Sequence, residues 1–338
     1  MTEAIMAQGA TIFGCSGLAL TRSEAAFYRE ADPWGFILFA RNIDTPDQVR
    51  ALTADLRAAV GRDAPVLIDQ EGGRVQRMVP PHWRQWLPPL DQVDRAGPHA
   101  AASLTLRARV IAQELRAVGI DVNCAPAADV ATDDTHPFLR NRCLGTEAAQ
   151  VAANARAMAE GFLQGGVLPV LKHLPGHGRA TLDSHKALPR VDTPKATLAT
   201  TDFAAFKPLA DLPLAMTAHL LFPNIDPDLP ATLSPRLIRL IRDEIGFDGL
   251  LMTDDICMGA LGGALADRCT AALSAGCDAI LHCNGEMAEM QTVAAASGTL
   301  SAKGQTRAED ALALRRPPEE ADADALTAQM TALLDPAA

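Results

Sequence analysis

The sequence predicts an α/β protein built as a single (β/α)8 barrel of the TIM type. Short apolar runs alternate with longer stretches of helical periodicity along almost the entire chain, which is the pattern of parallel strands joined by crossover helices. Eight such strand–helix pairs can be counted, and eight is the number that closes this barrel. The chain has 338 residues, 48% of them hydrophobic, which is enough for one large core. Because the sequence contains no composition break, long linker or internal repeat, we expect residues 1–338 to form one domain.

The predicted strands are short runs rich in aliphatic and β-branched side chains. In order they cover residues 11–15, 35–39, 65–68, 121–124, 166–171, 214–217, 249–253 and 278–281. An open, doubly wound sheet is the alternative arrangement. That fold would normally carry a glycine-rich fingerprint after its first strand, and Gly14-Cys15-Ser16-Gly17 does not match one.

The predicted helices lie between these strands. They cover residues 23–31, 45–60, 100–118, 146–163, 198–209, 234–245 and 261–275, with a further helix from residue 287 and a final surface helix in the tail. Two of them begin with a capping residue followed by proline, at Thr45-Pro46 and Ser234-Pro235, which is the favoured start of a helix. Gly246 is in position to end the second of these.

The amino-acid composition argues against some classes of binding partner. The chain has 30 basic and 41 acidic residues and a net charge of −11, so it should repel nucleic acid and anionic membranes. The N-terminus lacks a signal-peptide pattern, and no apolar run is long enough to cross a bilayer. The seven cysteines include no C-x-x-C pair, which indicates free thiols in the core, Cys257 included, in a reducing compartment. We expect a cytoplasmic monomer.

The loop after the fifth predicted strand has the densest group of titratable side chains. Between residues 172 and 185 it contains Lys172, His173, His177, Asp183 and His185. Gly176 and Gly178 allow the loop to bend. His173 and His177 have the spacing of two metal ligands on a helix, but Pro175 and Gly176 would break that helix. We therefore expect no metal site and no cofactor.

Other polar residues follow the remaining strands, and a barrel would bring all of them to one rim. They are residues 69–77, Asp129, Arg140, Arg142, His219, Asp254, Asp255, His282 and Asn284. Carboxylates from different strands, surrounded by hydrogen-bonding groups, favour glycoside hydrolysis. Asp254 is placed to act as the nucleophile. His185 is suited to giving up and taking back a proton during the reaction. Asp183 is suited to orienting the ring of His185.

A second group of these residues is suited to holding sugar hydroxyls. It consists of Asp69, Arg77, Arg142, Lys172 and His173. Arg140 remains an alternative to Arg142. Three other roles also stay open. Lys172 has the position of a Schiff-base lysine in a barrel aldolase, His219 either lines the pocket or caps a strand end, and Asp129 is a possible partner for an arginine.

Three strings in the sequence resemble bacterial β-N-acetylhexosaminidases of glycoside hydrolase family 3, the enzymes of peptidoglycan recycling. They are D-Q-E-G-G-R-V-Q-R at residues 69–77, K-H-L-P-G-H-G-R-A-T-L-D-S-H at residues 172–185, and T-D-D at residues 253–255. The resemblance extends from about Gly17 to Asn284. The sequence departs from the usual family pattern at residues 256–258, which read Ile-Cys-Met where Leu-Ser-Met is usual, and at His282, where an apolar residue is usual.

The resemblance implies a retaining exo-β-N-acetylglucosaminidase with a covalent glycosyl intermediate on Asp254 and an acid–base dyad of His185 and Asp183. It implies that the five residues assigned to the sugar bind the substrate. The implied substrate is an anhydro-muropeptide, in which N-acetylglucosamine is β-1,4-linked to 1,6-anhydro-N-acetylmuramic acid. A related β-glucosidase, or an aldolase using Lys172, is the alternative.

Overall fold

The computed structural model describes residues 7–182 and 188–334 and confirms the barrel. Eight strands form one sheet in the order β7-β6-β5-β4-β3-β2-β1-β8, and every pair of neighbours is parallel. The strands are β1 Gly9–Gly14, β2 Pro33–Leu38, β3 Val66–Ile68, β4 Val122–Asn123, β5 Leu168–Leu174, β6 Leu214–Thr217, β7 Leu250–Met252 and β8 Ile280–His282. A parallel bridge between Met252 and Ala279 joins β7 to the start of β8 and closes the barrel.

The helices pack around the outside of the sheet. They are α1 Arg22–Ala31, α2 Pro46–Val60, α3 Pro89–Ala96, α4 Ala100–Arg116, α5 Pro137–Arg140, α6 Ala148–Gln164, α7 Lys195–Thr200, α8 Asp202–Phe206, α9 Pro235–Arg239, α10 Leu265–Ala275, α11 Met287–Ser297, α12 Ala302–Ala313 and α13 Ala323–Leu334. Within the described ranges, no helix combines the length and the hydrophobicity needed to span a bilayer.

Alternation along the strands divides the core into two layers, because successive side chains point to opposite faces of a sheet. Ile12 and Ile37 belong to the cluster inside the barrel, whereas their neighbours Phe13 and Phe36 belong to the cluster between the sheet and the helices. A strand buried on both faces reads as a continuous apolar run, which is why these strands were recognisable in the sequence.

The helix ends predicted from the sequence have the expected capping hydrogen bonds and backbone conformation. The hydroxyl of Thr45 accepts a hydrogen bond from the amide of Gln48, and that of Ser234 accepts one from the amide of Leu237. Both capping residues therefore act as predicted. Gly246 ends its segment in the left-handed conformation with φ of 89°, where glycine carries no steric penalty.

Two predicted helices are less regular than expected. The stretch 198–209 is not one helix but α7, α8 and a 3-10 turn at Lys207–Leu209. The break lies at Thr201, whose hydroxyl donates to the carbonyl of Thr197 and to the carboxylate of Asp202 and so competes with the helical backbone. After α9 the chain continues as a π-helix over Leu240–Ile245.

Candidate active site

The barrel has a cavity of about 390 Å³ at the carboxyl ends of its strands, a size typical of small-molecule sites. Its lining includes every residue that the sequence assigned to the sugar, together with Asp254: Asp69, Arg77, Arg142, Lys172, His173 and Asp254. Lys172 and His173 lie near the end of β5 itself, not in the loop after it as the sequence suggested, and the other four follow β3, β4 or β7. All six meet because the barrel closes. The predicted acid–base residues, Asp183 and His185, lie outside the described residues.

Lys172 lies at the centre of a buried network of charges. Its Nζ is 3.0 Å from Oδ1 of Asp69 and 2.6 Å from Oε1 of Glu71. Burial alone would lower the pKa of Lys172, but the two carboxylates outweigh that effect and raise it. A Schiff-base lysine must lose its proton before it attacks a carbonyl. The network therefore argues against the aldolase alternative and holds Lys172 as a cation.

Glu71 connects Lys172 to Arg142. Nε and Nη2 of Arg142 donate to the two oxygens of Glu71 at 2.9 and 2.8 Å, which is the bidentate geometry that a guanidinium favours. Although burial raises the pKa of the Glu71 carboxyl, Arg142 and Lys172 lower it to about 2. Arg140, the alternative to Arg142, instead donates to the carbonyl of Thr132 and is absent from the cavity lining.

Asp129 fixes the orientation of His173. Oδ2 of Asp129 is 2.7 Å from Nδ1 of the ring, and Oδ1 accepts the backbone amide of His177 at 2.7 Å. The partner of Asp129 is thus a histidine rather than the arginine considered from the sequence. Burial raises the pKa of Asp129, but His173 and His177 bring it down to about 2. Nε2 of His173 lies 3.3 Å from Nη2 of Arg142, and both residues line the cavity.

Asp254 and Asp255 both reach the cavity, but their surroundings differ. Burial opposes ionisation of Asp254, yet His219 and His173 outweigh it and lower its pKa. Burial raises the pKa of Asp255 to about 6, and the charge of Asp254 adds to that effect. Asp254 is therefore the better ionised carboxylate, as a nucleophile must be.

His219 contacts the backbone of the turn that carries Asp254 and Asp255. Its Nδ1 is 2.7 Å from the hydroxyl of Thr232, and its Nε2 is 3.0 Å from the backbone carbonyl of Asp255. The ring is fully buried and does not line the cavity. Of the two roles left open by the sequence, the structure supports the capping of the strand end.

Two glycines allow the backbone to approach closely at the site. A Cβ on Gly72 would lie 1.8 Å from Nη2 of Arg107, and its φ is 106°. A Cβ on Gly178 would lie 1.9 Å from the carbonyl oxygen of Val130. Gly178 therefore packs the beginning of the long loop against the segment that carries Asp129, instead of providing free space for bending.

The sequence did not identify the apolar wall of the cavity. Phe39, His136, Phe138, Leu182, Met216 and Met258 also line it. The Arg74 guanidinium lies 3.4 Å from the centre of the Phe138 ring, in cation–π contact. Phe138 belongs to the four-residue α5, which is too short for hydrophobic periodicity to reveal. Trp83 and Trp86 are buried in their loop.

Comparison with known proteins agrees with this geometry. Residues 24–312 match the family model described as Glycosyl hydrolase family 3 N terminal domain. The chain is 34% identical to the Beta-hexosaminidase of Bordetella parapertussis over 292 residues, which cover 84% of this chain and 82% of that protein. It is 35% identical to the Beta-hexosaminidase of Methylobacillus flagellatus, covering 82% and 81% respectively.

Solved structures give the same result. The structure of NagZ from Neisseria gonorrhoeae in complex with N-trifluoroacetyl-D-glucosamine superposes with a TM-score of 0.83 and 27% identity, over 97% of this chain and 96% of that one. A family 3 β-N-acetylglucosaminidase from Paenibacillus also has a TM-score of 0.83, with 30% identity over 97% of this chain and 66% of its own longer chain.

The fold and the cavity thus define a glycoside hydrolase, an enzyme that acts on O-glycosyl bonds. More specifically, the chain belongs to glycoside hydrolase family 3, and its curated relatives of similar length are β-hexosaminidases.

Proposed function

We propose that the protein is a retaining exo-β-N-acetylglucosaminidase that removes the non-reducing terminal N-acetylglucosamine from anhydro-muropeptides. The observation that carries this proposal is Asp254, a carboxylate of lowered pKa at a cavity lined by Asp69, Arg77 and Lys172. The names of the relatives support the hexosamine, and the Neisseria structure holds an N-acylated glucosamine derivative.

The proposed reaction has two steps. An oxygen of Asp254 attacks the anomeric carbon, the bond to the leaving oxygen breaks, and that oxygen takes a proton from His185. A water molecule then attacks the same carbon while His185 takes its proton, and Asp254 is released as a carboxylate. The role proposed for Asp183 is to orient the ring of His185.

Substrate binding is assigned to the charged network. Lys172 and Arg142 each have donors left after pairing with Glu71, and His173 lines the cavity beside them, so sugar hydroxyls and carbonyl oxygens can be held. Because the whole protein carries a charge of −11, attraction of an anionic muropeptide depends on these local cations rather than on the overall field. Because the proposed substrate belongs to peptidoglycan recycling, we propose that the reaction takes place in the cytoplasm.

The test compares release of p-nitrophenol from its β-N-acetylglucosaminide and its β-glucoside. We expect turnover of the acetamido sugar and none after Asp254→Asn. His185→Ala should slow hydrolysis of a natural disaccharide far more than that of an activated phenyl glycoside, because a good leaving group needs little protonation. Preference for the glucoside would indicate a β-glucosidase. Equal losses on both substrates would exclude His185 as the proton donor.

A further inference from the structure

Cys257, His282 and Glu289 bring a thiol, an imidazole and a carboxylate together beside the catalytic turn. Cys257 follows β7, His282 ends β8, and Glu289 lies in the first turn of α11. Their potential ligand atoms all lie within 4.8 Å of one another. None of the three lines the cavity, so this cluster is separate from the proposed sugar site.

The alternation of β8 explains how the cluster forms. Leu281 points into the barrel and His282 points toward the helices, where its ring packs against Phe13 at a centroid distance of 5.9 Å. Nε2 of His282 then lies 3.3 Å from Oε2 of Glu289. Sγ of Cys257 lies 3.3 Å from the same oxygen, which places the three groups around one point.

We propose that Cys257, His282 and Glu289 form a binding site for one divalent cation of the zinc class. A thiolate, an imidazole nitrogen and a carboxylate oxygen are together the typical ligands of zinc. Ligand atoms around a tetrahedral zinc ion lie roughly 3.3–3.7 Å apart. The separations of 3.3 Å from Oε2 of Glu289 to Sγ of Cys257 and to Nε2 of His282 fall at the lower end of that range. The remaining pair lies within 4.8 Å, so side-chain shifts would admit the ion.

The burial of His282 favours this interpretation over a purely structural one. The side chain has no exposed surface, and among the described residues its Nδ1 has no hydrogen-bond partner. The imidazole therefore gains only one long hydrogen bond in return for its loss of hydration. A bond from Nε2 to a cation would replace this long hydrogen bond with a stronger interaction, and Nδ1 would still have no partner among the described residues.

The charges of these side chains and their exposure to solvent are also suitable for a divalent cation. Ionised Glu289 and a thiolate at Cys257 would balance the two charges of the ion, and binding would release the thiol proton to solvent. Cys257 is only partly buried, in contrast to the core position expected from the sequence, and the Glu289 side chain is 45% exposed. An ion can therefore enter from solvent, and water can fill the fourth position.

The site would stabilise the turn that carries the two aspartates. Oδ1 of Asp255 accepts the amides of Cys257 at 3.2 Å and of Cys283 at 3.3 Å. The ion would add a second connection between the same two segments and link both to α11.

Cobalt titration of the metal-free, full-length protein tests the proposal. We expect one equivalent of Co²⁺ to produce a sulfur-to-cobalt charge-transfer band, which zinc then displaces. Cys257→Ser should remove the band, and Glu289→Gln should weaken cobalt binding by at least about tenfold, because even supporting groups of metal sites contribute that much. Zinc should raise the Tm of the wild type and not that of Cys257→Ser.

Cys283→Ser is the matched control, because Cys283 is adjacent to His282 but outside the cluster. It should keep the band. Absence of the band in the wild type, its persistence in Cys257→Ser, or its loss only in Cys283→Ser would overturn the proposal. Glu289 is on the surface, so Glu289→Gln provides a folded test protein even if Cys257→Ser fails to fold.

Discussion

The ammonium group of Lys172 lies 2.6 Å from a carboxylate oxygen of Glu71, and both side chains are almost completely buried. Glu71 also receives two hydrogen bonds from Arg142. One carboxylate therefore pairs with two cations beside the cavity, and Asp69 supplies the second negative charge through its contact with Lys172. Buried charges of this kind are stable only when they are paired, so Glu71 organises the floor of the site even though it is absent from the cavity lining.

Glu71→Gln should strongly destabilise the protein. The substitution keeps the shape of the side chain but leaves Lys172 and Arg142 with less compensation, and breaking a buried pair costs about 3–5 kcal/mol. The measurement is the free energy of unfolding in urea. Asp211→Asn is the control, since Asp211 is largely exposed and pairs with Arg156 at the surface; it should change stability by less than about 1 kcal/mol. Equal effects of the two substitutions would contradict the role of Glu71.

Gly72→Ala should destabilise the protein by about 2 kcal/mol or more and reduce activity. The new Cβ would meet Arg107 at 1.8 Å in a backbone with φ of 106°, which is unfavourable for any residue with a Cβ. Gly17→Ala is the control, because nothing lies within 4 Å of a Cβ there. Thermal unfolding of both variants provides the comparison. A Gly72→Ala protein as stable as Gly17→Ala would show that this turn tolerates rearrangement.

Stability should fall steeply in acid, and Asp129 should account for part of that loss. Its pKa is about 2 when folded against an ordinary value of 3.8, so the unfolded chain binds more protons between these values. The contribution is complete above about pH 3.8 and disappears as the pH falls toward about 2. Urea unfolding across this window should give a flatter pH dependence for Asp129→Asn than for the wild type. The exposed Asp133 offers a control, and Asp133→Asn should keep the wild-type slope.

Arg142→Lys should lower kcat/KM by roughly tenfold or more. Lysine keeps the charge but cannot hold Glu71 through two parallel hydrogen bonds while also reaching the cavity. The loss corresponds to one hydrogen bond to a charged group, about 1.5 kcal/mol or more. Arg140→Lys is the matched control, since Arg140 donates to the Thr132 carbonyl, and it should keep nearly wild-type kcat/KM. The opposite ranking would assign the substrate contact to Arg140.

Much of the fold could be predicted because local signals agree with the final structure. Continuous apolar runs marked the strands, and side-chain caps such as Thr45 and Ser234 marked helix starts. The predictions were less accurate at residues 198–209, where Thr201 interrupts the helix, and at α5, which is too short to show a period. Both depend on contacts that periodicity does not record.

For the site, the sequence was sufficient to place the candidate residues near the carboxyl ends of their strands, which meet at one end of a barrel. It did not show which of them line the cavity: Asp129, His219 and His282 are buried and do not line it. Folding brings each residue to its partner: Glu71 to Arg142 and Lys172, Asp129 to His173, and His219 to the backbone of Asp255. It also brought Cys257, His282 and Glu289 together. Position along a strand sets which end of the barrel a residue occupies, whereas pairing depends on distances of a few ångströms that exist only after the barrel closes.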